Sequence, residues 1–200
     1  MFERKNITKN EKYLLLLSSS GKYLRKRRDL WYTLSMQSGY EKLHKRHAEF
    51  FAKRKFGVQT LIMGERICTA LFAVSYLAVI LHLLIMKQMS EIIQFGLAFF
   101  ACLASVQLLR FFFPRKRPFE QGITPLVEKK TAGNSFPSRH TACAFTIATI
   151  AIKVLGWFCI PLYVLGLWLA YTRFVLGWHY PSDLLGGSIV GTLCGLIVFI

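Results

Sequence analysis

Residues 67–86 pass without a single charged side chain. A helix of that length covers the roughly 30 Å hydrocarbon core of a bilayer. Inside lipid the backbone must satisfy its own polar groups, so a run of this kind folds as a helix. Residues 92–113 form a second such run, interrupted by Gln94, Ser105, Gln107 and Arg110. Three shorter runs follow at 141–155, 160–175 and 184–200, each beside a helix-start signal that extends it. The expectation is an all-α fold, a polytopic membrane helix bundle of about five transmembrane helices over residues 67–200. A hydrophobic content of 54% and a mean hydropathy of +0.38, concentrated in that stretch, argue against a soluble helical core.

Residues 1–66 have a different character, with 16 Lys and Arg against 6 Asp and Glu. Tyr13, Leu17, Leu24, Leu30 and Leu34 are spaced for one helical face, with a basic block at Lys22, Arg25, Lys26, Arg27 and Arg28. A second block, His44, Lys45, Arg46, Lys53, Arg54 and Lys55, adjoins Phe50, Phe51 and Phe56. Cations interleaved with aromatics suit amphipathic helices lying in the headgroup layer of an anionic membrane. Nucleic acid attracts similar surfaces, but direct attachment to a membrane bundle selects anionic lipid as the partner and no nucleic acid. The opening residues are charged and the apolar patch at 14–17 is short, so no secretory signal is expected. Cys68, Cys102, Cys143, Cys159 and Cys194 lie in or beside apolar runs without CxxC spacing, which reads as buried thiols.

Three polar clusters interrupt the apolar half. Arg110 and Arg117-Pro118 end the second run, Pro137-Ser138-Arg139-His140 opens the third, and Thr172-Arg173, His179 and Asp183 join the fourth to the fifth. Counting spans brings all three clusters to one membrane face, together with the N-terminus. The positive-inside rule makes that face cytoplasmic, with the protein expected in a bacterial cytoplasmic membrane. Pro114 and Pro118 stop the second helix, Ser135 or Ser138 caps the third, and Pro181 starts the fifth with Asp183 in its first turn. Gly187, Gly191 and Gly195 repeat every four residues, a small-residue face for close helix packing.

The chemistry follows from residue type. Three arginines at span ends are costly unless they face a polar cavity. Converging guanidinium groups fork onto phosphate oxygens and neutralise a dianion. Phosphoryl transfer without a metal needs a nucleophile and an acid, and His140 and His179 suit both roles near neutral pH. Asp183, four residues beyond His179, is placed to orient that ring. Beyond Arg66 the acids are Glu91, Glu120, Glu128 and Asp183, too dispersed for a two-metal site. Neither a metal nor another cofactor is expected.

The ordered set R-x6-RP, PSRH and TR-x5-H-x3-D, spanning Arg110 to Asp183, resembles the signature of the type 2 phosphatidic acid phosphatase superfamily. That signature is written KxxxxxxRP, PSGH and SRxxxxxHxxxD. The resemblance implies that His179 attacks phosphorus to form a phosphohistidine, Asp183 orients it, and His140 protonates the leaving group and then activates water. It also implies that Arg110, Arg117, Ser138, Arg173 and the Arg139 N–H hold the phosphate. Arg110 stands for lysine, Thr172 for serine and Arg139 for glycine. The last departure sets a long cation beside the site, either to bind a second phosphate or headgroup or to point outward. The family commonly has six spans with the catalytic face outside the cytoplasmic membrane, so five spans is a further departure. The expected substrate is a phosphorylated lipid: phosphatidic acid, phosphatidylglycerophosphate, or a polyprenyl mono- or diphosphate. A lipid phosphotransferase and a non-catalytic lipid-binding protein are the alternatives. The haloperoxidases of the superfamily resemble soluble proteins and fit poorly.

Overall fold

The computed structural model describes residues 39–128 and 133–200. The expected helical face from Tyr13 to Leu34 and the basic block at Lys22–Arg28 lie outside the described residues. The chain divides into two compact units, Met1–Leu43 and His44–Ile200. Of the first, residues 39–43 are described and helical.

In the second unit, α1 covers 44–52. It is followed by α2 (Gly57–Ile85), α3 (Met89–Phe112), α4 (Arg139–Leu155), α5 (Ile160–Val175) and α6 (Pro181–Gly195). Short 3-10 turns stand at Pro118–Gln121, Gly156–Cys159 and Leu196–Phe199. Helix α2 begins ten residues before the expected run, so Glu65 and Arg66 belong to it. Its apolar side chains, and those of α3, are exposed over much of the surface, including Leu77, Ile93 and Phe100. Helices apolar all round are those that face lipid on one side and neighbours on the other.

Among the described residues, four helical runs are long and apolar enough to cross a membrane: Gly57–Ile85, Met89–Phe112, Arg139–Val175 and Pro181–Phe199. The expected third and fourth spans fall within one run. That run is broken at Gly156, whose φ of +54° lies in the left-handed region that favours glycine. The Phe145 ring then meets Tyr163 edge-on at 5.8 Å, and Thr149 Oγ1 lies 2.8 Å from Tyr163 Oη. These contacts fold α5 back against α4 and return Arg173 to the end where Arg139 starts. Each arm is roughly 25 Å long at 1.5 Å per residue, shorter than a free-standing span needs.

Helix α4 is the central element. Ala142, Ala144, Thr146, Ile147, Ala148, Thr149, Ile150 and Ala151 are all buried. Small residues let the backbones approach, and Thr146 Oγ1 donates within its own helix to Ala142 O at 2.9 Å. It also lies 3.1 Å from Gly191 O on α6. The glycine stripe of α6 presses on this surface: a Cβ on Gly191 would stand 2.2 Å from Ala142 O, a backbone atom that cannot swing away. Gly191→Ala is therefore expected to cost about 2 kcal/mol or more by overpacking. Gly96→Ala on α3, where a Cβ meets nothing within 4 Å, serves as the control. Melting temperatures in detergent check this, with a drop for the first variant and none for the second.

Candidate active site

Helix grammar places the central carboxylate. Pro181 occupies the first turn of α6, where its missing N–H costs nothing, and Asp183 at the third position reaches back to the Tyr180 N–H at 2.9 Å. The carboxylate is fully buried. Ser135 Oγ donates to its Oδ2 at 2.5 Å and Arg115 Nη1 to its Oδ1 at 2.9 Å. The Asp183 carbonyl accepts from Ser138 N at 2.9 Å, which fastens the start of α4 to the start of α6.

His179 is buried next to this hub. Its Nδ1 lies 3.1 Å from the Ser135 carbonyl and 3.7 Å from Asp183 Oδ2. A carbonyl oxygen only accepts, so Nδ1 carries the proton and the lone pair of the neutral ring sits on Nε2. Asp183 thus faces the ring, as expected, and Ser135 adds a second link, accepting from the ring through its carbonyl and donating to Asp183 through its hydroxyl. Burial pushes the imidazole pKa down to about 4, opposed by the Asp183 charge and assisted by the nearby Arg117 and Arg173 guanidinium groups.

The arginines surround this pair. Arg110 donates from Nε and Nη2 to Pro137 O at 3.3 and 3.0 Å, and Arg117 Nε donates to Gly133 O at 3.2 Å. Burial pulls the Arg117 pKa below its usual value, and Glu120, which accepts from the Arg117 N–H at 2.8 Å, counteracts part of this. Arg173 is 1% exposed and pairs through Nη2 with Glu65 of α2. Arg117 Nη1, Arg173 Nε and Arg173 Nη1 are buried with no partner among the described residues. Unpaired buried guanidinium N–H groups are expensive. Three of them close to a neutral histidine ring are the kind of donors that suit a tetrahedral anion. Ser138 Oγ accepts from Thr141 Oγ1 at 3.0 Å, which leaves its own proton to donate.

His140 is half-buried in the first turn of α4. With Arg139 it lines a cavity of about 470 Å³ whose other walls include Phe72, Tyr76, Phe99 and Leu103. One end of the cavity is thus polar, and the rest is apolar.

Three site residues were not singled out from sequence: Glu65, Arg115 and, beyond a capping role, Ser135. Glu65 carries the largest structural consequence. Removing it leaves a buried cation without its counter-charge, which costs about 3 kcal/mol. Glu65→Ala is expected to lower the melting temperature in detergent by roughly 6–12 °C, on the scale for a chain of this size. Exposed Glu128→Ala is expected to leave it unchanged.

The model of the PAP2 superfamily matches residues 91–200. Undecaprenyl-diphosphatase BcrC of Bacillus subtilis (strain 168) is 31% identical over 107 residues, covering 52% of this chain and 54% of its own. The putative undecaprenyl-diphosphatase YbjG of Escherichia coli (strain K12) is 36% identical over 85 residues, covering 40% and 41%. The chain thus spans about half or less of the length of these curated relatives. A crystal structure of a transmembrane PAP2 type phosphatidylglycerolphosphate phosphatase from Bacillus subtilis shares the fold, with a TM-score of 0.65. It is 21% identical and covers 82% of this chain and 85% of that one.

Proposed function

This chain belongs to the PAP2 superfamily, and on that footing we propose that it is an integral-membrane lipid phosphate phosphatase working through a phosphohistidine. The observation that carries the reading is the set of three guanidinium nitrogens on Arg117 and Arg173, buried with no partner among the described residues, beside a histidine whose Nδ1 is held by a carbonyl. The phosphate sits among Arg110, Arg117, Arg173, Ser138 and the Arg139 N–H. The Nε2 lone pair of His179 attacks phosphorus and the P–O bond to the lipid breaks. Its electron pair goes to the lipid oxygen, which takes a proton from His140. In the second half, neutral His140 removes a proton from water, the water oxygen attacks the phosphohistidine, and the P–N bond breaks to restore the His179 lone pair. Asp183 and Ser135 keep the attacking ring in the right tautomer. The lipid tail occupies the apolar cavity.

No metal is needed in this scheme. Each carboxylate at the site is already committed: Asp183 to Arg115, Ser135 and Tyr180, Glu120 to the Arg117 N–H, and Glu65 to Arg173. Purified protein is expected to release phosphate from phosphatidic acid, phosphatidylglycerophosphate or a polyprenyl diphosphate in excess chelator, with vanadate inhibiting. A protein that releases phosphate from none of these lipids would sink the reading.

The same reading places the protein in a bacterial cytoplasmic membrane with its catalytic end facing the cytoplasm. Helix α1 joins that end through His44 Nε2, 3.1 Å from Val175 O, and through His47 Nδ1, 3.0 Å from Tyr171 Oη. Lys45, Arg46, Lys53, Arg54 and Lys55 accompany it, the charge bias of a cytoplasmic face and a seat for anionic lipid. An impermeant thiol reagent should label Glu128→Cys only after cells are opened. Labelling of intact cells contradicts the assignment.

A further inference from the structure

The backbone N–H of Arg139 faces the phosphate in this scheme, but its guanidinium is the one at the site with no task yet. Among the described residues Arg110, Arg115, Arg117 and Arg173 are each hydrogen-bonded to a carbonyl or a carboxylate. Arg139 is exposed, and its side chain has neither a hydrogen bond nor an ion pair among the described residues. It lies within electrostatic reach of Arg110, Arg117 and Arg173, so its charge is repelled by the phosphate receptor it adjoins. It also acts on Cys143, and both residues line the apolar cavity together with His140. Arg139 therefore stands at the junction between the anion receptor and the tail cavity, beside the histidine assigned to the leaving group.

Position and charge identify what belongs there. With a lipid monoester the receptor holds the only phosphate, and the atoms next to His140 are a neutral alcohol. With a lipid diphosphate the terminal phosphate fills the receptor, and the inner phosphate, which leaves with the lipid, lies at the junction. A free cation on an exposed, flexible stem there gains a charge-assisted hydrogen bond that a monoester cannot offer. We propose that Arg139 binds the phosphate that remains on the lipid, making this a site that prefers lipid diphosphates to lipid monophosphates. This rests on the phosphatase reading above and names its substrate class.

Farnesyl diphosphate and farnesyl monophosphate share one tail and separate the two cases, using the full chain in detergent. Arg139→Gln keeps the helix start and the backbone N–H assigned to the phosphate, and removes only the side-chain charge. It is expected to lower kcat/KM for the diphosphate by about 10–30-fold, chiefly through KM, in line with loss of one charge-assisted hydrogen bond. The monophosphate is expected to change by less than about 3-fold, and Arg139→Lys to restore much of the diphosphate rate. An equal fall on both substrates, or an unchanged diphosphate rate, overturns the inference while leaving a working phosphatase. Wild-type protein inactive on both farnesyl substrates but active on glycerolipid phosphates would also overturn it. Inactivity on all of them would instead remove the phosphatase reading beneath it.

Discussion

His179→Gln is expected to reduce phosphate release from every lipid substrate by at least about 10⁴-fold, the loss that follows removal of a covalent nucleophile. Glutamine is close in volume and can still donate to the Ser135 carbonyl, so the buried hub is expected to survive and the loss to fall on kcat. The substitution also reveals the proton linkage of the buried ring. The unfolded chain binds a proton at His179 near pH 6.5, whereas the folded chain resists protonation until about pH 4. Between those values the unfolded state holds more protons, so the stability conferred by neutral burial is present above pH 6.5 and lost as the pH falls through 4. Melting curves at pH 7 and pH 4.5 check the sign. Wild type should lose more stability than His179→Gln over that interval, by on the order of 3 kcal/mol.

Asp183→Asn is expected to be nearly as damaging to turnover, by about 10³-fold, and more damaging to the fold. The carboxylate is completely buried and joins Ser135 Oγ, the Tyr180 N–H and Arg115 at once. An amide loses the ion pair and presents a donor where one of three donors now points, so a clash or an unpaired group follows. Breaking a buried charge pair from one side costs about 3 kcal/mol. The His179 ring keeps its direct partner, the Ser135 carbonyl, and so a residual rate above that of His179→Gln is expected. Arg115→Ala separates the two effects. Arg115 is a third exposed, and its loss removes the counter-charge while sparing the two hydrogen bonds. That variant should lose less melting temperature than Asp183→Asn, because the carboxylate keeps two hydrogen bonds and the fields of Arg110 and Arg117. Steady-state phosphate release and melting in detergent, measured on the three proteins side by side, read both predictions.

Local grammar was legible in the sequence wherever one helix end decided the outcome. Ser138 does stand at the N-cap position of α4, though its side chain makes no capping hydrogen bond, Pro181 does open α6 and Asp183 does fall in its first turn. Those positions depend on capping and on proline geometry within a few residues. The glycine stripe was legible for a similar reason, since a period of four on one helix needs no knowledge of the partner. The residues that escaped are those whose meaning is tertiary. Glu65 lies 108 residues from Arg173 and sits next to Arg66 at the edge of a basic stretch, where a lone acid reads as solvated. Ser135 is 44 residues from His179 and contributes partly through its carbonyl, a group every residue carries. The fold-back at Gly156 escaped as a feature distinct from two ordinary spans. Its signal is one glycine between apolar arms, and the positive φ shows only in three dimensions.

In the proposed mechanism phosphorus passes through His179 Nε2, and His140 is needed to complete the cycle. Rapid acid-free quenching with ³²P-labelled lipid phosphate tests it most directly, comparing wild type, His140→Ala and His179→Gln. With label on the terminal phosphate of a lipid diphosphate, whose leaving phosphate departs without the His140 proton, label should accumulate on His140→Ala as an acid-labile, base-stable phosphohistidine mapped to His179, while His179→Gln carries none. Label retained by His179→Gln, or mapped to any other residue, would contradict the account.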